Sequence, residues 1–149
     1  MITHGQITAA IEFNLEFEKA AKAALPRWIE THNKIIQELR EEIGFTGWAL
    51  NCNEIPSGAE RMSDFVSLHD DRDIEFEYTQ WGDEQTLYMP ADFIHSPETA
   101  AQAHREKLRD ALIKKRDSEA ERAAEADKKT REFELEKLKE LMAKYPDAV

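Results

Sequence analysis

The sequence predicts an α+β fold with an N-terminal helical pair or one kinked helix, a small antiparallel sheet of three to four strands, and a long charged C-terminal helix. Three observations lead to this fold class. Apolar residues recur at three- and four-residue steps from residue 7 to residue 43, as in amphipathic helices. Apolar and polar residues then alternate from residue 74 to residue 79, as in a half-buried strand. Finally, no Gly or Pro interrupts residues 98–144.

The first helical region divides at Pro26 into residues 7–25 and 27–43. Because proline either kinks or ends a helix, one kinked helix and a helical hairpin are both open. Gly44 follows the last apolar position and is the expected C-terminal cap.

The middle of the chain predicts strands joined by polar turns. Residues 45–63 are rich in turn formers and predict an irregular connection with one short strand around residues 48–50. The expected meander consists of strands at residues 64–68, 74–81 and 84–89. Residues 91–95 are expected to form a short helical turn that covers the sheet edge. One face of this sheet is expected to be solvated and acidic.

Ser96 and Pro97 predict the start of the C-terminal helix, with Ser96 as its cap and Pro97 at the first helical position. Residues 114–132 offer only alanines as apolar side chains, so no core is expected there. An apolar stripe then follows, and it must be buried against this chain or another one: Phe133, Leu135, Leu138, Leu141, Met142 and Tyr145. The predicted organisation is a compact domain at residues 1–97 and a long helix at residues 98–149.

Composition places the chain among folded proteins of the cytoplasm. Its 149 residues allow one domain with an appendage, and 41% hydrophobic residues are too many for a disordered chain. Cys52 is the only cysteine, so an internal disulfide is excluded, and burial as a small apolar side chain is expected. No secretory leader or membrane-spanning run is recognised, so a membrane location is not expected.

The net charge of −11 is concentrated in the middle of the chain. Residues 44–97 hold 11 acids and only two bases, Arg61 and Arg72, whereas residues 98–149 hold 13 of each. Such a region cannot neutralise nucleic-acid phosphates, so direct nucleic-acid binding is not expected. A partner protein with a basic surface is expected instead.

The residues give no sign of catalysis, and neither a cofactor nor a metal is expected. The acidic turn at Asp70, Asp71 and Asp73 lacks the spacing, glycine and distal glutamate of a calcium loop, which favours a solvated turn. No two of the five histidines are three or four residues apart, so isolated capping or surface roles are expected for them. There is also no phosphate loop and no nucleophile elbow.

The best candidate for a partner-binding surface is the acidic hairpin region with its tryptophan. Its residues are Asp70, Asp71, Asp73, Glu75, Glu77, Trp81, Asp83 and Glu84. Regular negative charge can mimic a phosphate backbone, and an aromatic side chain can anchor a partner. A face that only keeps the protein in solution is the alternative.

The run IEFEYTQWGDEQTLYMPADFI, followed by a charged helix ending in REFELEKLKELMAKY, resembles a layout found in small acidic bacteriophage proteins of unassigned function. The resemblance covers about half of the chain. It implies a phage origin and a non-enzymatic role in the host cytoplasm, as an inhibitor or modulator that binds a host complex such as a CRISPR effector. The alternative is a structural protein that self-associates, for example as a homodimer, through its C-terminal helix.

Overall fold

The structure, a computed structural model, describes residues 1–48, 52–69 and 72–148. It confirms the coarse fold class, which combines an N-terminal helix, an antiparallel sheet and a long C-terminal helix. Among the described residues, no helix combines the length and apolar character needed to cross a membrane.

Helix α1 (His4–Ile43) is one continuous helix that passes through Pro26, so the helical-pair alternative is wrong. Thr3 and Gln6 form a capping box at its start, with the Thr3 side chain accepting from the Gln6 backbone and the Gln6 side chain accepting from the Thr3 backbone. Gly44 ends the helix in the left-handed conformation with φ 76° and donates to the Arg40 carbonyl, which confirms the predicted cap.

The strands are β1 (Asp64–His69), β2 (Asp73–Gln80) and β3 (Asp83–Pro90), and they lie in the order β1-β2-β3 with antiparallel pairing. A four-residue helix, α2 (Ala59–Met62), precedes them. Most of the strand expected around residues 48–50 lies outside the described residues, and Trp48 itself is in no strand. The expected helical turn after β3 is a 3-10 turn, Ala91–Phe93, which buries Phe93.

The inner face of the sheet packs against the second half of α1. Trp28 and Leu25 of α1 contact a buried cluster that includes Ile74 and Phe76 of β2 and Met89 of β3. A second cluster lies further along α1, where Ile36 and Leu39 pack with Leu112 of the last helix and with Cys52. Cys52 is therefore buried as predicted, and burial raises the pKa of its thiol.

Helix α3 (Pro97–Lys144) is 48 residues long, and it begins after Ser96 as predicted, although the Ser96 side chain makes no capping hydrogen bond. It runs beside α1 in the same direction, since Arg105 pairs with Glu38 at 2.7 Å and Arg109 pairs with Glu42 at 3.0 Å. Only Ala100, Leu108 and Leu112 of α3 are buried.

Both long helices extend beyond the core. In α1, every residue from 4 to 16 is exposed, and we call this segment the N-terminal arm. In α3, every residue from 119 to 144 is exposed, and we call this segment the C-terminal arm. Because α1 and α3 are parallel, the two arms leave the core in opposite directions.

Candidate partner-binding surface

The outer face of the sheet is built by the alternation of β2. Ile74 and Phe76 point into the core and are fully buried, so Glu75 and Glu77 lie on the opposite face. Strand pairing extends this face onto both neighbouring strands, because directly opposed residues share a face. Glu77 is opposite Asp64 of β1, and Thr79 is opposite Glu84 of β3.

Five carboxylates share this outer surface, which we call the acidic face: Asp64, Asp73, Glu75, Glu77 and Glu84. The three strands contain no Lys or Arg. Four of the five were predicted from the sequence, and Asp64 was missed because its place depends on the register of β1 against β2.

One described residue of the predicted site does not lie on this face. Asp83 is opposite Gln80 at the end of the hairpin, one position out of phase with the acidic face, so it does not share that face. Asp70 and Asp71 lie outside the described residues. Among the described residues, the acidic face is formed by the three strands.

Tyr88 stands in the middle of the acidic face, directly opposite Glu75. Its hydroxyl donates to Glu75 Oε1 at 3.1 Å, and this hydrogen bond to a carboxylate raises the pKa of Tyr88. The ring remains 42% exposed. An exposed aromatic ring among carboxylates can contact the methylene chain of a lysine or the plane of an arginine.

Trp81 lies at the tip of the β2–β3 hairpin and is 94% exposed. Gln80 pairs with Asp83, so Trp81 and Gly82 form a two-residue turn, and both have positive φ, at 51° and 81°. Such turns favour Asn, Asp or Gly at the first position, because a bulky side chain is strained there. A tryptophan at this position therefore has no structural advantage for the hairpin.

A groove of about 830 Å³ lies between the hairpin tip and α1. Trp81 and Trp48 are among its lining residues, together with the carboxylates of Glu30, Glu54 and Glu60. Arg40, Tyr78 and Gln80 line the groove as well. Because Tyr78 and Gln80 alternate with Glu77 and Thr79 along β2, the groove lies on the side of the hairpin opposite the acidic face.

A second polar cluster joins α1 to α3, and it shows that the prediction of isolated roles is wrong for two histidines. His32 Nδ1 lies 2.8 Å from His104 Nε2, and His32 Nε2 lies 2.8 Å from the Asn53 carbonyl. Since a carbonyl only accepts, His32 Nε2 carries a proton, and in the neutral pair His104 Nε2 donates to His32 Nδ1. No sequence signal could have paired these residues, because they belong to different helices.

Both rings of the histidine pair are neutral. Both nitrogens of His32 are already hydrogen-bonded, so His32 offers no free nitrogen to a ligand. Burial is the main cause that lowers the pKa of both rings, to about 4 for His104. The charge that His32 carries when it is protonated, and the ammonium of Lys107, lower the pKa of His104 further. Within the described ranges there is no group of three or more side chains suited to hold a metal ion. The pair is therefore a structural contact whose hydrogen bonds connect α1, α3 and the segment at Asn53.

The predicted C-terminal stripe lies on the C-terminal arm, and all six of its side chains are between 48% and 63% exposed: Phe133, Leu135, Leu138, Leu141, Met142 and Tyr145. Nothing in the described chain covers them.

Comparisons with protein-family models, with curated proteins and with solved structures give no match to this chain. Its function is therefore inferred from its own surfaces.

Proposed function

We propose that this protein acts by stoichiometric binding to a partner protein with a basic surface, as an inhibitor or modulator, through the acidic face and Trp81. The observation that carries the proposal is Trp81, which is almost fully exposed at a strained turn position at the tip of the hairpin whose strands carry the acidic face. A strained residue that the fold does not need is a recognised sign of a functional constraint.

The chemistry of the acidic face defines the partner. Asp64, Asp73, Glu75, Glu77 and Glu84 repel nucleic acid and attract lysine and arginine side chains. Trp81 and Tyr88 supply the aromatic anchors that dominate many interfaces. The setting implied by the resemblance is a bacteriophage protein that blocks a host complex in the host cytoplasm, with CRISPR effectors as one class of target.

The test is an affinity capture from nuclease-treated bacterial lysate with three versions of the chain. The first is wild type, the second carries Glu77→Lys with Glu84→Lys, and the third carries Trp81→Asn. We expect one basic protein or complex to bind wild type near one-to-one and to dissociate as salt is raised. Both variants are expected to lose at least 90% of the captured protein.

A matched control carries the same charge change on the solvated part of α3. Glu121→Lys with Glu125→Lys adds the same four positive units, on exposed residues outside the acidic face. If this control loses the partner as completely as the strand variant, binding depends on net charge and not on the acidic face. If Trp81→Asn binds the partner as well as wild type does, Trp81 is not a contact residue and that part of the proposal is wrong.

A structural or assembly protein is the second candidate, and a separate observation favours it. The six apolar side chains of the stripe are exposed on one end of a helix that makes no core of its own beyond residue 119. Exposed apolar stripes of this kind are typical of helix pairing.

A further inference from the structure

We infer that a second copy of this chain covers both arms, with the C-terminal arm of each copy lying antiparallel on the N-terminal arm of the other in a closed dimer. This inference rests on the assembly function proposed above, and it names the occupant of the stripe as the N-terminal arm of the partner copy.

The exposed surface is too large for a compact monomer. A globular monomer of 17.2 kDa exposes about 7,800 Å². This chain exposes 11436 Å². The excess exceeds the roughly 1,000 Å² that a specific interface needs. Every residue of both arms is exposed.

The N-terminal arm carries an apolar face of its own. Ile7, Ile11 and Leu15 are spaced by four residues and are about half exposed. Residues three and four apart lie on one side of a helix, so these side chains form one stripe. The described chain therefore has two uncovered stripes, one near each end.

One copy cannot bring its own two stripes together. The ion pairs Glu38–Arg105 and Glu42–Arg109 hold α1 and α3 parallel with a constant offset along the two helices. At 1.5 Å per residue, this offset separates residue 16 from residue 119 by roughly 50 Å along the helix direction. Contact between the stripes therefore requires another molecule.

Charge disfavours contact between two N-terminal arms. The N-terminal arm, which ends at residue 16, has only glutamates as fully charged side chains, Glu12 and Glu16. On a helical wheel, Lys137, Lys139 and Lys144 lie along the two edges of the C-terminal stripe, and Glu134 lies within it. Pairing two N-terminal arms brings only acidic side chains together, whereas the C-terminal arm offers lysines as well as glutamates.

In a dimer with a two-fold axis perpendicular to the helices, both stripes of each copy are covered by the other copy. Such an axis reverses the second copy, so its N-terminal arm meets the C-terminal arm of the first, and symmetry creates the same contact at the other end. The antiparallel orientation also places the positive end of α1 beside the negative end of α3. A parallel head-to-tail contact would leave stripes open at both ends and would grow into a filament.

The test measures mass by sedimentation velocity and light scattering across a concentration series. Wild type is expected at twice the mass of one 17.2 kDa chain. One variant carries Ile7→Glu with Ile11→Glu in the N-terminal arm, and another carries Leu138→Glu with Met142→Glu in the C-terminal arm. Each variant alone is expected as a monomer. Because all four residues are exposed, the core and the helical circular dichroism should be preserved.

Mixing the two variants separates the possible pairings. A one-to-one mixture retains one intact contact between unlike arms, so a heterodimer should return with affinity at least tenfold weaker than wild type. If the N-terminal variant still dimerises alone, the C-terminal arms pair with each other, and this inference fails while the assembly function stands. If wild type is a monomer at every concentration, both the closed dimer and the assembly function are wrong. A mass that rises without limit overturns the closed dimer.

Cysteine cross-linking tests the direction of the contact in chains that keep both stripes. Protein carrying Ile7→Cys is mixed with protein carrying either Tyr145→Cys or Leu135→Cys, and oxidised mixed dimers are measured on non-reducing gels. The antiparallel arrangement predicts a several-fold higher yield with Tyr145→Cys. A higher yield with Leu135→Cys would overturn it. Native Cys52 is buried and gives the background rate in wild type.

Discussion

His32 Nδ1 lies 2.8 Å from His104 Nε2, although the two residues are 72 positions apart. The same His32 ring donates to the Asn53 carbonyl, so one imidazole connects α1, α3 and the segment between them. His32 also lies near the carboxylate of Glu54, and His104 lies near the ammonium of Lys107. Protonating both rings would place two positive charges in a largely buried site and replace the hydrogen bond between the rings by repulsion.

The buried His32–His104 pair predicts that the protein loses stability in mild acid. Both histidines have folded pKa values below 6.5, so the unfolded chain binds more protons than the folded one below that pH. The stabilising contribution of the neutral pair is complete above pH 6.5 and declines as pH falls toward the folded pKa of about 4 for His104. Protonation of His104 alone lowers the free energy of unfolding by up to about 3 kcal/mol, and the full loss is reached only below pH 4.

The variant His104→Gln isolates this effect from the titration of carboxylates. Its side-chain amide can still donate to His32 Nδ1, but it does not titrate. Urea unfolding at pH 7, 5.5 and 4.5 should show a shallower decline for the variant than for wild type. Parallel curves would mean that His104 contributes nothing to the acid sensitivity.

The histidine pair also shows where prediction from the sequence ends. A search for residues three or four apart detects neighbours on one helix, and His32 and His104 lie on two helices whose relative register depends on packing. The hairpin could be predicted, because the alternation around Ile74 and Phe76 reports directly on which face is buried. The position of Asp64 on the acidic face could not be predicted, because it depends on the register between β1 and β2.

At Pro26, the rule that proline kinks or ends a helix could not distinguish one kinked helix from a helical hairpin. Proline removes one backbone hydrogen bond, but Pro26 is exposed and the carbonyl it frees can be solvated. Its neighbours Leu25 and Trp28 are buried against the sheet, and this burial offsets the lost hydrogen bond. Tertiary packing therefore decided between a hairpin and one helix.

Trp28 is predicted to be a major stabilising contact between α1 and the sheet. It is fully buried, and its Nε1 donates to the Tyr88 carbonyl at 3.0 Å. Trp28→Phe removes this donor and leaves a cavity, so we expect a loss of about 2–3 kcal/mol in the free energy of unfolding. Urea unfolding followed by far-UV circular dichroism measures it. Trp48→Phe, on an exposed side chain, should change stability by less than about 0.5 kcal/mol, and equal effects of the two changes would contradict the prediction.

Two leucines on α3 should respond very differently to the same truncation. Leu112 is fully buried between α1 and the Cys52 segment, so Leu112→Ala is expected to cost about 2–5 kcal/mol. Leu138 is about half exposed on the C-terminal arm, so Leu138→Ala should change the stability of the monomer by less than about 0.5 kcal/mol. Both are measured by urea unfolding at a concentration below that of association. A large loss for Leu138→Ala there would show that the C-terminal arm folds back onto its own core.

Trp81→Asn is predicted to stabilise the fold while removing a partner contact. Asparagine tolerates the positive φ of this turn position, whereas tryptophan is strained there by about 1 kcal/mol. Because the Trp81 ring is almost fully exposed, little packing is lost with it. We therefore expect the free energy of unfolding to rise by about 0.5–1 kcal/mol in urea or thermal unfolding. Trp81→Val, which keeps no aromatic ring and remains strained, is the matched control and should be no more stable than wild type. A loss of stability in Trp81→Asn would show that the ring supports the hairpin, and its exposure would then no longer argue for a partner.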